Sequence, residues 1–223
     1  MTGAAVLAGG FDAALAEPAG RVGEHRHWLV LADGERLPLP VRRWHGPLEP
    51  ALERLVQRCV GPTVDLGCGP GRLTAALAAR GLVALGVDVS AGAVRLARER
   101  GAVALCRDVL GPLPGEGRWA HALLVDGNIG IGGDPLRLLR RCADLLRPGG
   151  TALVELAAPG AGLWRGRAHV VSGGGDGREA RGPSFRWARV GVELAEPLAS
   201  AAGFRVADVL PAHRRWFVEL VRR

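Results

Sequence analysis

A short apolar run ends in a glycine-rich turn and opens a helix at Val64-Asp65-Leu66-Gly67-Cys68-Gly69-Pro70-Gly71-Arg72-Leu73-Thr74. Glycines at alternate positions let the backbone come close to a ligand and let the next helix pack on its strand. The rest of the central chain keeps the same grammar. Thr63 to Leu66, Leu82 to Val87, Ala102 to Cys106, Ala120 to Val125 and Thr151 to Leu156 are apolar runs of strand length with helical patterns between them. Ser90 is placed to cap a helix from Ala91 to about Arg100. Pro135 opens another, with Leu136, Leu139, Ala143 and Leu146 on one face, and Arg147-Pro148-Gly149-Gly150 stops it. Strand and helix alternating over about 95 residues predict an α/β fold, a parallel sheet with helices on both faces.

The flanks read differently. Phe11 to Glu17 suits a short helix, and strands at Trp28 to Ala32 and Arg36 to Val41 flank the hairpin dipeptide Asp33-Gly34. Pro38 and Pro40 confine the second strand to a sheet edge. Residues 1–55 are thus expected to form a small N-terminal helix and hairpin cap on a domain of residues 56–223, with Pro50 at the start of a helix reaching about Cys59. In the tail, Leu163 to Val171 and Ser184 to Val190 are expected to pair around a Gly-rich tip, and Val192 to Ala202 to be helical. Arg205 to Leu210 and Trp216 to Val221 are strands joined by a loop too short for a parallel crossover, so the sheet is expected to end on an antiparallel C-terminal edge.

Composition narrows the function. A chain of 223 residues, 48% hydrophobic and 23% charged, holds a core without disulfide or metal staples. Cys59, Cys68, Cys106 and Cys142 are scattered, with no pair spaced for a metal or a redox couple; no metal and a reduced, cytoplasmic setting are expected. The N-terminus lacks a basic n-region and carries Asp12 and Glu17 beside its short apolar stretch, which makes a poor signal peptide. No run reaches the ~18 apolar residues of a membrane span. All 29 basic residues are Arg; Lys and Tyr are absent, and Gln and Asn occur once each. The missing types have A/T-rich codons, so the net charge of +7 reads first as genome composition and second as a nucleic-acid or membrane surface. Eleven Arg against six acidic residues from Pro159 onward place most of the excess in the tail. Arg165, Arg167, Arg181 and Arg186 there leave an anionic ligand open, against the plainer reading of a solvated hairpin face.

Two features of the glycine turn argue against a dinucleotide. The third glycine of Gly-x-Gly-x-x-Gly would fall on Arg72, whose bulk opposes close helix packing and pyrophosphate approach, and Asp65 ahead of the glycines repels phosphate. A phosphate loop ending in Gly-Lys is impossible in a Lys-free chain. Instead, acidic residues recur where strands end: Asp88 in Gly86-Val87-Asp88-Val89, Asp108 beside Val109, and Asp126. Ligands of open parallel sheets bind along that edge, and carboxylates there suit a cation with hydroxyl groups.

With this set, residues 61–156 resemble the class I S-adenosylmethionine-dependent methyltransferases, a Rossmann-like family. The resemblance implies that Asp65, Gly67, Cys68, Gly69 and Gly71 form the first cofactor motif, that Asp88 with Val89 meets the ribose hydroxyls, that Asp108 and Val109 lie at the adenine, and that Asp126 lies beside the methionine part. S-adenosylmethionine is the implied cofactor.

The loop Asp126-Gly127-Asn128-Ile129-Gly130-Ile131 holds the chain's sole Asn and both of its Ile. Their concentration in one loop marks it as held by function, lining the transfer site with Asn128 offered to cofactor or substrate; packing alone is the alternative. The loop lacks the Pro-Pro-aromatic sequence of base and amide N-methyltransferases, and no Pro-Cys follows it for cytosine chemistry, so nucleic-acid substrates are disfavoured. Of the histidines, His121 opens a strand far from the expected site, while His25, His27 and His45 lie in the cap, and His45 beside Trp44 is the best candidate general base. The expected activity is methyl transfer to an O, N or C nucleophile of a small molecule. The alternatives are an RNA or DNA methyltransferase using the Arg-rich tail and a non-catalytic cofactor-binding relative.

Overall fold

The computed structural model describes residues 10–15, 26–173 and 178–223. The N-terminal flank contributes α1 (Asp12–Leu15), β1 (Arg26–Leu31), β2 (Arg36–Pro38), α2 (Val41–His45) and α3 (Pro50–Arg58). The central part follows as β3 (Thr63–Leu66), α4 (Arg72–Ala79), β4 (Ala84–Asp88), α5 (Ala91–Glu99), β5 (Ala104–Cys106), β6 (Trp119–Leu124), a 3₁₀ segment (Asn128–Gly133), α6 (Pro135–Leu145) and β7 (Leu146–Leu156). The tail supplies β8 (Leu163–Gly173), β9 (Glu179–Arg181), β10 (Phe185–Val190), a 3₁₀ turn (Val192–Leu194), α7 (Ala195–Ala201), β11 (Phe204–Ala212) and β12 (Arg215–Arg222). The expected helix end at Glu17, His25 and the centre of the Gly-rich tip lie outside the described residues.

Seven strands form the main sheet in the order β11-β12-β7-β6-β3-β4-β5. The pairs among β3 to β7 are parallel, while β12 runs antiparallel to β7 and β11 antiparallel to β12. The chain winds outward from β3 through β4 to β5, then crosses back to β6 on the other side. That reversal opens a crevice above the C-terminal ends of β3 and β6, where doubly wound sheets take their ligands. Alternate strand residues feed two cores. Leu123 and Leu153 face Leu52, Leu55 and Leu77 of α3 and α4. Val64, Ala122 and Val154 face Leu138, Leu145 and Ala199 of α6 and α7. Helices therefore cover both faces. Ser90 caps α5 by accepting the Ala93 N–H at 3.2 Å. No helix among the described residues is long and apolar enough to cross a membrane.

The cap is assembled from two distant parts of the chain. A second sheet runs β10-β8-β1-β2, with β9 on β8, so the N-terminal hairpin pairs with a tail hairpin more than a hundred residues away. Trp28 lies opposite Val171, and His27 Nδ1 and Ser172 Oγ are 2.8 Å apart. The sheet of the N-terminal hairpin is therefore shared with strands from residues 163–190, because β8 fills the edge that β1 leaves open. The strand expected to reach Val41 ends at Pro38, since Pro40 lacks an N–H for the ladder and sits as N-cap of α2. Arg147-Pro148-Gly149-Gly150 does end helix α6, but the chain passes directly into β7, with a register shift opposite between Trp119 and His121.

Candidate functional site

A cavity of about 330 Å³ lies between the C-terminal edge of the main sheet and the cap. Its sheet side carries Gly67, Cys68, Gly69, Asp88, Val89, Asp108, Val109, Asp126 and Asn128, which the topology brings together from four successive strand ends. Gly67, Gly69 and Gly71 all adopt left-handed backbone (φ +76°, +52° and +76°). Asp88 organises the turn: its two carboxylate oxygens accept N–H bonds from Gly69 and Ser90, both at 2.9 Å. Burial pushes the Asp88 carboxyl up from the ordinary carboxylate range, with the Ser90 and Gly69 N–H groups opposing that shift. Asp108 accepts the Leu110 N–H at 2.9 Å. Among the described residues, neither Asp88 nor Asp108 has a guanidinium partner. Two carboxylates facing a cavity without counter-charge suit a ligand that brings cationic charge and hydroxyl donors, and repel a pyrophosphate.

Three expected site residues do not line the cavity. Asp65 is 2% exposed and accepts the Thr74 hydroxyl at 2.8 Å beneath the turn; burial pushes its pKa up to about 7. The Asp65 side chain thus sits inside the core, bonded to Thr74. Gly71 begins α4, and a Cβ there would stand 2.6 Å from Ala97 Cβ, so this glycine serves the packing of α4 on α5. His45 ends α2, and its carbonyl accepts from Arg100 Nη2 at 2.7 Å; the structure keeps it outside the lining, so it is not placed as a general base. His121 is a strand residue between the Val60 N–H and the Thr151 hydroxyl (3.1 and 2.7 Å), and burial lowers its pKa. Since Nε2 accepts from Val60, Nδ1 is the nitrogen that donates to Thr151. Arg165, Arg167, Arg181 and Arg186 lie outside the cavity.

Asn128 lines the cavity, and its side-chain amide holds the glycine turn. Nδ2 donates to the Leu66 and Gly67 carbonyls at 3.0 and 2.8 Å, and a Cβ on Gly67 would fall 2.6 Å from that nitrogen. Ile129 is buried in the core, whereas Ile131 reaches the cavity wall and packs against both the main core and the cap. Gly130 admits no side chain because the backbone of Ala188 and the ring of Trp187, on cap strand β10, lie directly against it. The rare residues of this loop thus join the sheet edge to the cap.

A charged cluster that the sequence motifs did not reveal closes the cavity floor. Arg215, on β12, donates to both oxygens of Glu155 (2.7 Å each), to Glu49 (2.6 Å) and to Asp126 Oδ1 (2.9 Å). Arg72 donates to Asp126 Oδ2 (2.6 Å) and the Arg43 carbonyl (2.9 Å), and Arg43 lies 3.3 Å from Glu49. Burial acts to lower the Arg215 pKa, but Glu155, Asp126 and Glu49 outweigh it and hold it above the ordinary arginine value. Asp126 has a left-handed backbone (φ +58°) and donates its N–H to Glu155 Oε2 at 2.6 Å. Its carboxylate is therefore committed to Arg72 and Arg215. The sequence signal for this cluster was a charge near the end of each of two neighbouring strands: Glu155 towards the end of β7 and Arg215 at the start of β12. Arg72, an obstacle to a dinucleotide, has its place here.

Residues 63–150 match a family model described as a methyltransferase domain. Trans-aconitate 2-methyltransferase of Paracidovorax citrulli (strain AAC00-1) is 32% identical over 114 residues, which cover 49% of this chain and 44% of that protein. The match thus spans less than half of that relative's length. Among solved structures, a SAM-dependent methyltransferase from Bacteroides fragilis in complex with S-adenosyl-L-homocysteine is similar over 100% of this chain and 98% of its own, with a TM-score of 0.74 at 19% identity. A Burkholderia thailandensis 1,6-didemethyltoxoflavin-N1-methyltransferase with bound 1,6-didemethyltoxoflavin and S-adenosylhomocysteine is similar over 78% and 77% of the two chains, with a TM-score of 0.56 at 21% identity. At these identities the likeness is one of fold.

Proposed function

We infer the activity from the family: this chain belongs to the class I S-adenosylmethionine-dependent methyltransferases, and we propose that it moves the methyl group of S-adenosylmethionine to an O, N or C nucleophile of a small molecule. The observation that carries this reading is Asp88 at the end of β4, bonded to the glycine turn and facing the cavity with no guanidinium partner among the described residues. When bound, S-adenosylmethionine supplies an electrophilic methyl group on a cationic sulfur. Asp88 is placed to accept from its ribose hydroxyls, Asp108 and Val109 stand at the adenine position, and the turn at Gly67 to Gly69 borders the methionine part. The cap lines the space above with apolar side chains, and aligning the reactants away from water is the main demand of a one-step displacement. A residue that forms a covalent link is not required, and burial pushes the Cys68 thiol well above its usual value, where it stays protonated.

We assign the acceptor to the cap half of the cavity, whose wall is largely apolar. Solved relatives whose names give small-molecule methylation, such as the toxoflavin N1-methyltransferase, agree with a small acceptor. Calorimetric titration with S-adenosylhomocysteine tests the reading, with NAD as control and Asp88→Ala as second protein. Saturable binding by the wild type, no binding of NAD, and a loss of about 100-fold in the variant (~2.7 kcal/mol) are expected. A folded wild type that does not bind S-adenosylhomocysteine overturns it.

A further inference from the structure

We propose that the cap half of the cavity binds a neutral aromatic molecule, and that this is the chemical class of the methyl acceptor. The second clause rests on the methyltransferase reading above; the first does not.

The wall comes from three distant segments that have little in common except apolar side chains turned to the cavity. Phe11 comes from the segment before α1, Leu29 and Leu37 from β1 and β2, Trp44 from α2, Ile131 from the loop after β6, and Trp187 from β10. The rings meet tilted or edge-on, with Phe11 5.5 Å from Trp187 and 6.3 Å from Trp44 between centroids. Such clusters accept a further flat ring through offset and edge contacts.

The charges at the cavity decide the sign of the ligand. Arg43, Arg72 and Arg215 meet Glu49, Asp126 and Glu155 in one balanced cluster. Arg189, also in the lining, pairs with Glu35 at 2.6 Å. Each guanidinium at the cavity therefore has a carboxylate. An anionic ligand would have to displace one of them or lose hydration against an apolar wall without a counter-charge, and both are unfavourable. Apolar walls, clustered rings and balanced charge together select a neutral ring over a carboxylate or a phosphate.

The test compares three probes of one size, 2-naphthol, 2-naphthoate and decahydro-2-naphthol, titrated calorimetrically into the full chain with and without saturating S-adenosylhomocysteine. 2-Naphthol is expected to bind at least tenfold more tightly than either of the others. Leu37→Arg adds a cation to the wall on the half-buried edge strand β2 and, in a protein shown to fold, is expected to reverse the naphthol-to-naphthoate preference. 2-Naphthoate binding the wild type as tightly as 2-naphthol overturns the proposal, as does decahydro-2-naphthol doing so, or an unchanged preference in a folded Leu37→Arg protein. If 2-naphthol fails to bind while S-adenosylhomocysteine binds, the ligand class is wrong and the methyltransferase reading stands. If S-adenosylhomocysteine fails and 2-naphthol binds with the stated preference, the site stands and its role as a methyl-acceptor site falls.

Discussion

The two halves of the cavity are built by opposite strategies. On the sheet side, Gly67, Asp88, Asp108 and Asp126 come from one stretch of sequence and reach the site because each ends or follows a strand of the same parallel sheet. Any chain that folds this sheet delivers them. On the cap side, Leu29 and Trp187 meet only because β1 and β10 both pair with β8, a contact between segments separated by the whole parallel domain. The first half is polar, and its Asp88 and Asp108 lack guanidinium partners among the described residues; the second is apolar and its charges are balanced. A half fixed by local topology suits a ligand that stays the same, whereas one fixed by long-range pairing of loops and edges is free to change with the partner it must fit.

Arg215 is where the halves are tied, so removing it is the strongest way to break the contrast. It holds Asp126 on the sheet side and Glu49 on the segment between α2 and α3, while Glu155 accepts two of its bonds. Arg215→Met leaves three carboxylates facing each other in a partly buried floor with Arg72 and Arg43 alone to offset them. Loss of about 3–5 kcal/mol in urea unfolding is expected, the usual cost of breaking a buried ion pair by removing one partner. Arg215→Lys should recover less than half of it, since an ammonium cannot span Glu155 in bidentate fashion while reaching Glu49 and Asp126. A Met variant within 1 kcal/mol of wild type, on the order of a surface pair, means the halves are joined elsewhere.

The same contrast explains what the sequence disclosed. The strands, the glycine turn and the order of acidic residues were legible because each depends on a local pattern: apolar runs of strand length, helical periodicity between them, and acids at strand ends. The antiparallel edge followed from one short loop before β12. The pairing of β1 with β8 was not legible, since both strands offered an open edge and no local signal names an edge's partner. Charge clusters were hidden for a related reason. Asp126 was recognised at its strand end, but that Arg72 and Arg215 would occupy both its oxygens depends on side chains 54 and 89 residues away. The direction of Asp65 was not legible either, because a carboxylate next to a glycine turn faces the cavity or the core according to strand pleat, and its side chain falls on the Thr74 side.

Asn128 sharpens the comparison at intermediate strength. Its amide pins the turn at Leu66 and Gly67 from the sheet side, so Asn128→Ala frees two buried carbonyls and loosens the turn alone. S-adenosylhomocysteine affinity is expected to fall about tenfold, ~1.4 kcal/mol, with 2-naphthol affinity unchanged within about twofold, ~0.4 kcal/mol. Equal losses for both ligands would show that the loop serves the whole cavity.

The smallest effect belongs to Asp65, which lies under the sheet half and touches neither ligand space. Burial pushes its carboxyl to about 7 in the folded protein, against about 3.9 in an unfolded chain. Between those values the native state keeps a proton that the unfolded state has lost, so this group's contribution to stability declines as pH rises from about 4 to 7 and is flat beyond. Asp65→Asn keeps the shape and still accepts the Thr74 hydroxyl through its amide oxygen, but it cannot ionise. It is expected to be more stable than the wild type at pH 8, by about 1 kcal/mol after the unmatched amide N–H groups offset part of the gain. At pH 4, where the wild-type carboxyl is neutral in the native state, the two proteins should converge or exchange order. A stability difference independent of pH, read from urea midpoints at pH 4 and 8, would place the proton elsewhere and leave Asp65 ionised beneath the turn.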